Sequence, residues 1–294
     1  MNQQDIKWIC VVGAGQMGHQ IGMLCALGGY ETVIQDVQTT VLEKAMTSLW
    51  ALMDKWVSKG KLTEDQKEAA FRRLSFTTSL EEAASQADVV IEAVVEQLSV
   101  KRDVFRELER IAPAHAILAT NSSTIVNSKL ADVTTRPDKV CNMHFFFPPL
   151  VMDCVEVVMS DETSEETAQL LLGVCQRIGR TGVLLRKEIS GFIANRILGA
   201  LQREAIELYE AGVADFKDID IICRKALNHP IGPFELMDLS GNDVAYFVMK
   251  QQYEETGDET LKPFACVEEK VKLGHLGRKT GKGWYDYTEN GGKR

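Results

Sequence analysis

Gly13-Ala14-Gly15-Gln16-Met17-Gly18 stands between an apolar run at residues 6–12 and a helix-like stretch at residues 17–28, and Asp36 ends the next apolar run eighteen residues after the last glycine. The turn needs glycine for three steric reasons: a tight bend at Gly13, unobstructed backbone at Gly15, and close helix-to-strand packing at Gly18. The glycines alone would fit a plain structural turn equally well; strand, helix and acid in that order make the motif a dinucleotide fingerprint. The loop Gly13, Ala14, Gly15, Gln16, Met17 and Gly18 then cradles a pyrophosphate at the helix N-terminus, and Asp36 accepts from ribose hydroxyls. A carboxylate at Asp36 repels the extra phosphate of NADP, and Gln38, Thr39 and Thr40 offer no cation to receive it, so NAD is the cofactor expected.

Working outward, short runs at residues 6–12, 31–36, 88–95, 116–120 and 139–146 are almost continuously apolar, as expected of parallel strands covered on both faces. Helix-like stretches at residues 17–28, 41–58 and 100–111 lie between them, which predicts an α/β, Rossmann-like doubly wound sheet. Residues 39–73 exceed a minimal crossover and carry Lys44, Lys55, Lys59, Lys61 and Lys67, so a helical hairpin projecting from the sheet is expected there. Strand signals at residues 155–159 and 182–185 flank a helix over 164–178. Beyond Arg186 only helical patterns remain, at residues 192–211, 218–227 and 242–253, punctuated by His229-Pro230-Ile231-Gly232-Pro233. The reading is an NAD-binding domain over 1–186 and an all-helical domain over 190–294.

Composition narrows the function classes. The 294 residues are 45% hydrophobic and 26% charged, ordinary for a globular chain of two domains. A net charge of −9 argues against general nucleic-acid binding, which needs clustered Lys and Arg. No stretch approaches the roughly 18 uninterrupted apolar residues of a membrane helix, and the polar start shows no export signal, so no membrane association and a cytoplasmic location are expected. Seven cysteines, Cys10, Cys25, Cys141, Cys154, Cys175, Cys223 and Cys266, are scattered without a C-x-x-C pair, which reads as buried reduced thiols and no metal site.

His144 ends an apolar strand, and Glu156 lies inside another, Val155-Glu156-Val157-Val158. Burying an unpaired carboxylate costs several kcal/mol, so Glu156 needs a partner and His144 is a candidate. Residue types alone leave His144 open between a satisfied core histidine and a base.

His144-Phe145-Phe146, Pro148, Met152 and Val155-Glu156 resemble the signature of the L-3-hydroxyacyl-CoA dehydrogenase family, and the similarity runs over residues 6–287. Thr120-Asn121-Ser122-Ser123, Gly191-Phe192-Ile193-Ala194-Asn195-Arg196, Gly232-Pro233-Phe234-Glu235-Leu236 and Gly277-Arg278-Lys279-Thr280-Gly281-Lys282-Gly283-Trp284-Tyr285 match in the same order. The resemblance implies NAD-dependent, reversible oxidation of an L-3-hydroxyacyl-CoA such as 3-hydroxybutyryl-CoA to the 3-ketoacyl-CoA, in fatty-acid metabolism. His144 is then the base and Glu156 its orienting carboxylate, and oxidation, which needs the neutral imidazole, falls as pH drops. It further implies that Ser123 and Asn195 touch substrate and the histidine region, and that Ser123, Glu96, Lys101 and Lys279 contact the cofactor. Lys59 falls on a position that holds the CoA moiety. A solvated charge is the alternative for Glu96, Lys101, Lys279 and Lys59. The helical domain is implied to form a homodimer interface and to close over the substrate.

The chain departs from the family pattern in places. Phe147 stands where the family usually has asparagine, which removes a donor and an acceptor and adds bulk, so the acyl end of the pocket is altered or the nicotinamide is held differently. Leu52 replaces a serine that helps with CoA in some members, and Ser190 replaces a proline before Gly191. These departures motivate an alternative substrate, a non-CoA hydroxy acid such as a sugar acid. A crystallin-like NAD-binding protein with little catalysis is the third reading, opposed by the intact His144, Glu156, Ser123 and Asn195.

Overall fold

The apolar runs of the first half assemble side by side, because strands without a polar face can only be satisfied by cover on both sides. A computed structural model describes residues 3–288. Its strands are β1 (Trp8–Val12), β2 (Glu31–Gln35), β3 (Leu74–Thr77), β4 (Val89–Glu92), β5 (Ile117–Thr120), β6 (Val140–Phe145), β7 (Cys154–Val158) and β8 (Thr181–Leu185), in one sheet ordered β3-β2-β1-β4-β5-β6-β7-β8. Every pairing is parallel except β6 with β7. The first six strands follow the Rossmann order, with the reversal of winding between β1 and β4.

Alternation along the strands divides the interior between the faces of the sheet. Ile9, Val11, Val89, Ile91, Ile117 and Ala119 pack into one core, and Cys10, Val12, Val90 and Leu118 into the other. The flanking helices are α1 (Gly18–Leu27), α2 (Thr39–Ser58), α3 (Glu64–Arg72), α4 (Leu80–Ala84), α5 (Leu98–Ile111), α6 (Ser128–Ala131) and α7 (Glu165–Arg177). Thr63 starts α3 with a capping box to Gln66, and Ser164 caps α7 through the amide of Thr167.

The hairpin at residues 39–73 is present, but it does not simply project. Leu42, Ala45, Leu49 and Met53 of α2, spaced to form one helical stripe, and Ala70 of α3 are buried in the main core. The chain then enters β3, an edge strand absent from the sequence reading.

The chain divides into two compact units between Phe192 and Ile193. The second contains α8 (Ala194–Glu210), α9 (Phe216–Lys225), α10 (Pro233–Ser240), α11 (Asn242–Thr256) and α12 (Ala265–Lys272). Phe234, Met237, Ile206, Met249, Val267 and Trp284 form its core, with Tyr209 and Phe216 edge-on to Phe234. Among the described residues, no helix is long and apolar enough to cross a membrane.

Candidate active site

The fingerprint glycines sit where their steric reasons require. Gly13 has φ 100°, and a Cβ there would lie 2.7 Å from the Ala93 carbonyl oxygen. A Cβ on Gly18 would overlap the Gly13 carbonyl, whereas one on Gly15 would meet nothing within 4 Å, so the loop is packed on one side and open on the other. Gly15 and Gln16 are exposed, Met17 packs against the core, and α1 begins without a side-chain cap. No side chain therefore occupies the position in front of this helix start, where an anion would be favoured. Asp36, just past β2, accepts from the amides of Ala14 at 2.9 Å and Gln38 at 3.0 Å, which holds its carboxylate beside the loop. An open glycine cradle, an uncapped helix start and a fixed acid suit the pyrophosphate and ribose of NAD.

Glu92 ends β4, paired in register with Val12 on one side and Thr120 on the other. It is fully buried, and Lys101 of α5 reaches it at 2.7 Å while itself only 1% exposed. The Val94 amide and the Thr120 hydroxyl donate to the same carboxylate, each at 2.7 Å. Lys101 also pairs with Glu96 at 3.2 Å, and Glu96 accepts from the hydroxyls of Ser122 and, at 2.9 Å, Thr124. Burial would raise the Glu96 carboxyl, but the Lys101 charge and these hydroxyls hold it below the usual carboxylate range. Ser123 lies half-buried between Ser122 and Thr124.

His144 and Glu156 stand directly opposite in the antiparallel β6–β7 pair, so their side chains share one face. Nδ1 of His144 lies 2.8 Å from Oε2 of Glu156, and both residues are buried. The rings of Phe146 and Phe192 lie 4.6 and 5.5 Å from the imidazole. Two residues back on the same face, Asn142 donates to the carbonyls of Ser122 and Ile125 and accepts from Asn127, tying the Ser123 turn to the histidine strand.

The remaining sequence-predicted residues are placed differently. Lys59 is exposed at the end of α2, and Leu52 packs against the core. Asn195 lies in the first turn of α8, in the second unit. Lys279, also in that unit, grips the Asp243 carboxylate at 2.6 and 2.7 Å. Phe147 is 59% exposed at the start of the loop joining β6 to β7.

Sequence reasoning missed Glu92, Asn142 and Phe192. Glu92 carried the signal that flagged Glu156, a carboxylate inside an apolar run, Val89-Val90-Ile91-Glu92. The amphipathic pattern predicts a helix from Phe192; instead the residue has φ 45°, after Gly191 at φ 77°, and packs with Val158 and Leu185 beside the histidine ring. A left-handed phenylalanine is a tertiary choice that no local pattern announces.

A Rossmann sheet with this fingerprint, and a histidine–carboxylate pair within its β6–β7 strands, defines an NAD-dependent oxidoreductase. The model of the 3-hydroxyacyl-CoA dehydrogenase NAD-binding domain matches residues 8–189, and that of the 3-hydroxyacyl-CoA dehydrogenase C-terminal domain matches residues 191–287. The chain is 38% identical over 285 residues to a probable 3-hydroxybutyryl-CoA dehydrogenase of Bacillus subtilis, covering 97% of this chain and 99% of the relative. The solved (S)-3-hydroxybutyryl-CoA dehydrogenase of Ralstonia eutropha superposes with a TM-score of 0.91 at 35% identity, over 97% of this chain and 100% of that one. A diketoreductase described as acting on dicarbonyl compounds superposes with a TM-score of 0.86 at 32% identity, over 96% and 99%. The chain belongs to the 3-hydroxyacyl-CoA dehydrogenase family and is an NAD-dependent 3-hydroxyacyl-CoA dehydrogenase.

Proposed function

We propose that the chain oxidises a short L-3-hydroxyacyl-CoA, such as 3-hydroxybutyryl-CoA, with His144 as the base. The observation that carries this reading is the 2.8 Å bond from His144 Nδ1 to Glu156. A carboxylate accepts only, so Nδ1 carries the proton and Nε2 keeps its lone pair for the substrate hydroxyl. As Nε2 takes that proton, Glu156 neutralises the imidazolium without moving. When bound, NAD supplies the acceptor for the hydrogen and electron pair leaving C3. The fingerprint and Asp36 hold its pyrophosphate and ribose, with Glu96, Lys101 and Lys279 assigned to it as well. Ser123 and Asn195 are each assigned to the substrate, and Lys59 to its CoA moiety.

The test is NADH consumption with acetoacetyl-CoA, comparing wild type with His144→Ala. Turnover that falls at least about a hundredfold in the variant, with NADH still bound, supports the reading. A folded, NADH-binding wild type without turnover refutes it.

A second substrate reading, a non-CoA hydroxy acid, is favoured by Phe147, whose exposed ring begins the loop beside His144. Saturation by a sugar acid and not by acetoacetyl-CoA would select it. We further assign a homodimer to the helical unit, supported by the exposed Ile221, Ile222, Phe247 and Val248 and tested by sedimentation, and a cytoplasmic location, supported by the free cysteines.

A further inference from the structure

A second buried charge arrangement in the first unit lies outside the His144 pair. Glu92 and Lys101 are almost wholly removed from water, and a buried ion pair seldom repays its desolvation in stability alone. Apolar residues of similar volume would fill that space more cheaply, so what the pair does is better judged from what it touches.

From this geometry we infer that Glu92 is a positioning residue for Ser123, acting through Lys101 and Glu96 to fix the turn that carries it. The inference rests on the role given above to Ser123. The carboxylate of Glu92 joins three pieces of chain: the loop after β4 through the Val94 amide, α5 through Lys101, and β5 through the Thr120 hydroxyl. Lys101 passes the constraint to Glu96, which receives the hydroxyls of Ser122 and Thr124 on either side of Ser123.

The turn depends on these same hydroxyls. The Ser122 amide donates to Thr120 Oγ1 at 3.2 Å, and the amides of Thr124 and Ile125 donate to Ser122 Oγ at 3.3 and 2.8 Å. Each accepting hydroxyl has its own proton committed to Glu92 or Glu96, which leaves its lone pairs directed at the backbone. Asn121 completes the tie, its amide donating to the Glu92 carbonyl at 2.8 Å and its side chain accepting the Phe145 amide at 2.9 Å, one residue beyond His144. The height of Ser123 above the sheet edge is therefore set by two carboxylates and one ammonium, none of which needs to touch the reacting atoms.

Glu92→Gln is the discriminating substitution. It keeps the shape but turns one acceptor oxygen into a donor, which then faces Lys101 and the Val94 amide in one orientation or the Thr120 hydroxyl in the other. Hydrogen exchange on the cofactor-free protein should accelerate by about tenfold at residues 122–125 in Glu92→Gln, with residues 140–145 and 154–158 within about twofold of wild type. Glu96→Gln, at a partly exposed position, should give the same local pattern and carries the test if Glu92→Gln does not fold. Unchanged exchange at residues 122–125, or an equal rise across the whole unit, overturns the inference whatever happens to activity. In turnover, the kcat loss of Glu92→Gln should largely vanish in a Ser123→Ala background, whereas additive losses would remove the link to Ser123. Failure of wild type to turn over acetoacetyl-CoA would instead refute the substrate reading and leave the exchange result to decide the positioning role.

Discussion

Both units bury carboxylates, and they satisfy them in opposite ways. In the helical unit Asp238 accepts from the Trp284 and Tyr285 amides at 2.8 and 2.9 Å, the Asn242 amide group at 2.9 Å and the Tyr287 hydroxyl at 3.1 Å. Asp220 receives the Phe234 and Glu235 amides at the start of α10 and the Tyr285 hydroxyl. These are neutral donors drawn largely from the backbone. In the sheet unit Glu156 faces an imidazole and Glu92 an ammonium. The electrostatics follow: burial raises the Asp220 carboxyl despite its amide and phenol donors, whereas at Glu96 burial is outweighed by Lys101 and the Ser122 and Thr124 hydroxyls acting together. Burial of a charge therefore does not mark a reactive site. Neutral backbone donors staple a fold together, while titratable or cationic partners hold side chains in a chosen state.

The largest effect expected from this contrast is at Glu156. Glu156→Gln should lower kcat with acetoacetyl-CoA by about thirtyfold or more, because the amide no longer stabilises the protonated imidazole, while the melting temperature moves little. Equal losses of kcat and folding would place Glu156 with the structural aspartates. Asp238→Asn should do the reverse, leaving an amide N–H against backbone N–H groups and removing about 2 kcal/mol of stability, seen as a drop of several degrees in melting temperature. An unchanged melt would break the comparison from the other side.

Smaller effects should come from the rim and from pH. Phe147→Asn should change the KM for acetoacetyl-CoA by about threefold to tenfold with stability unaltered; identical kinetics on every acyl-CoA would show that the ring is a bystander. Because the folded Glu96 carboxyl is lowered, its contribution to stability is present above the ordinary glutamate range and is lost only as pH falls through the depressed folded value. Exchange protection at residues 122–125 should thus survive acidification past the ordinary glutamate titration and fail below it, and loss near neutral pH would contradict the Lys101 pairing.

How legible each part was in the sequence follows from how local its cause is. The fingerprint is a local requirement, and so is a Glu inside a run of valines; both were readable. The pairing of His144 with Glu156 was inferable because both lay in strong strand signals. By contrast, β3 is only Leu74-Ser75-Phe76-Thr77 at the sheet edge, too short and too polar to announce itself. Helix α10 is eight residues long and begins with the local signals Pro233 and Glu235, but two of its first amides are met by Asp220 on α9, which no local window contains. Glu96 and Lys101 are legible through the family resemblance, whereas Glu92, the second carboxylate on Lys101, ends an apolar strand whose hydrophobic pattern masks it.

The register of β6 against β7 has a bearing on redesign. Residues 146–153, which join the two strands, can in principle be exchanged for loops of other lengths, since the connection itself does not set which side chains meet. Parity within the strands is another matter: one residue inserted between Val140 and Met143 would send the imidazole to the face now held by Met143 and Phe145, and present the Met143 thioether to Glu156. Loop grafting is the permissive route to new substrate range here, and the strand pair is the part to inherit intact.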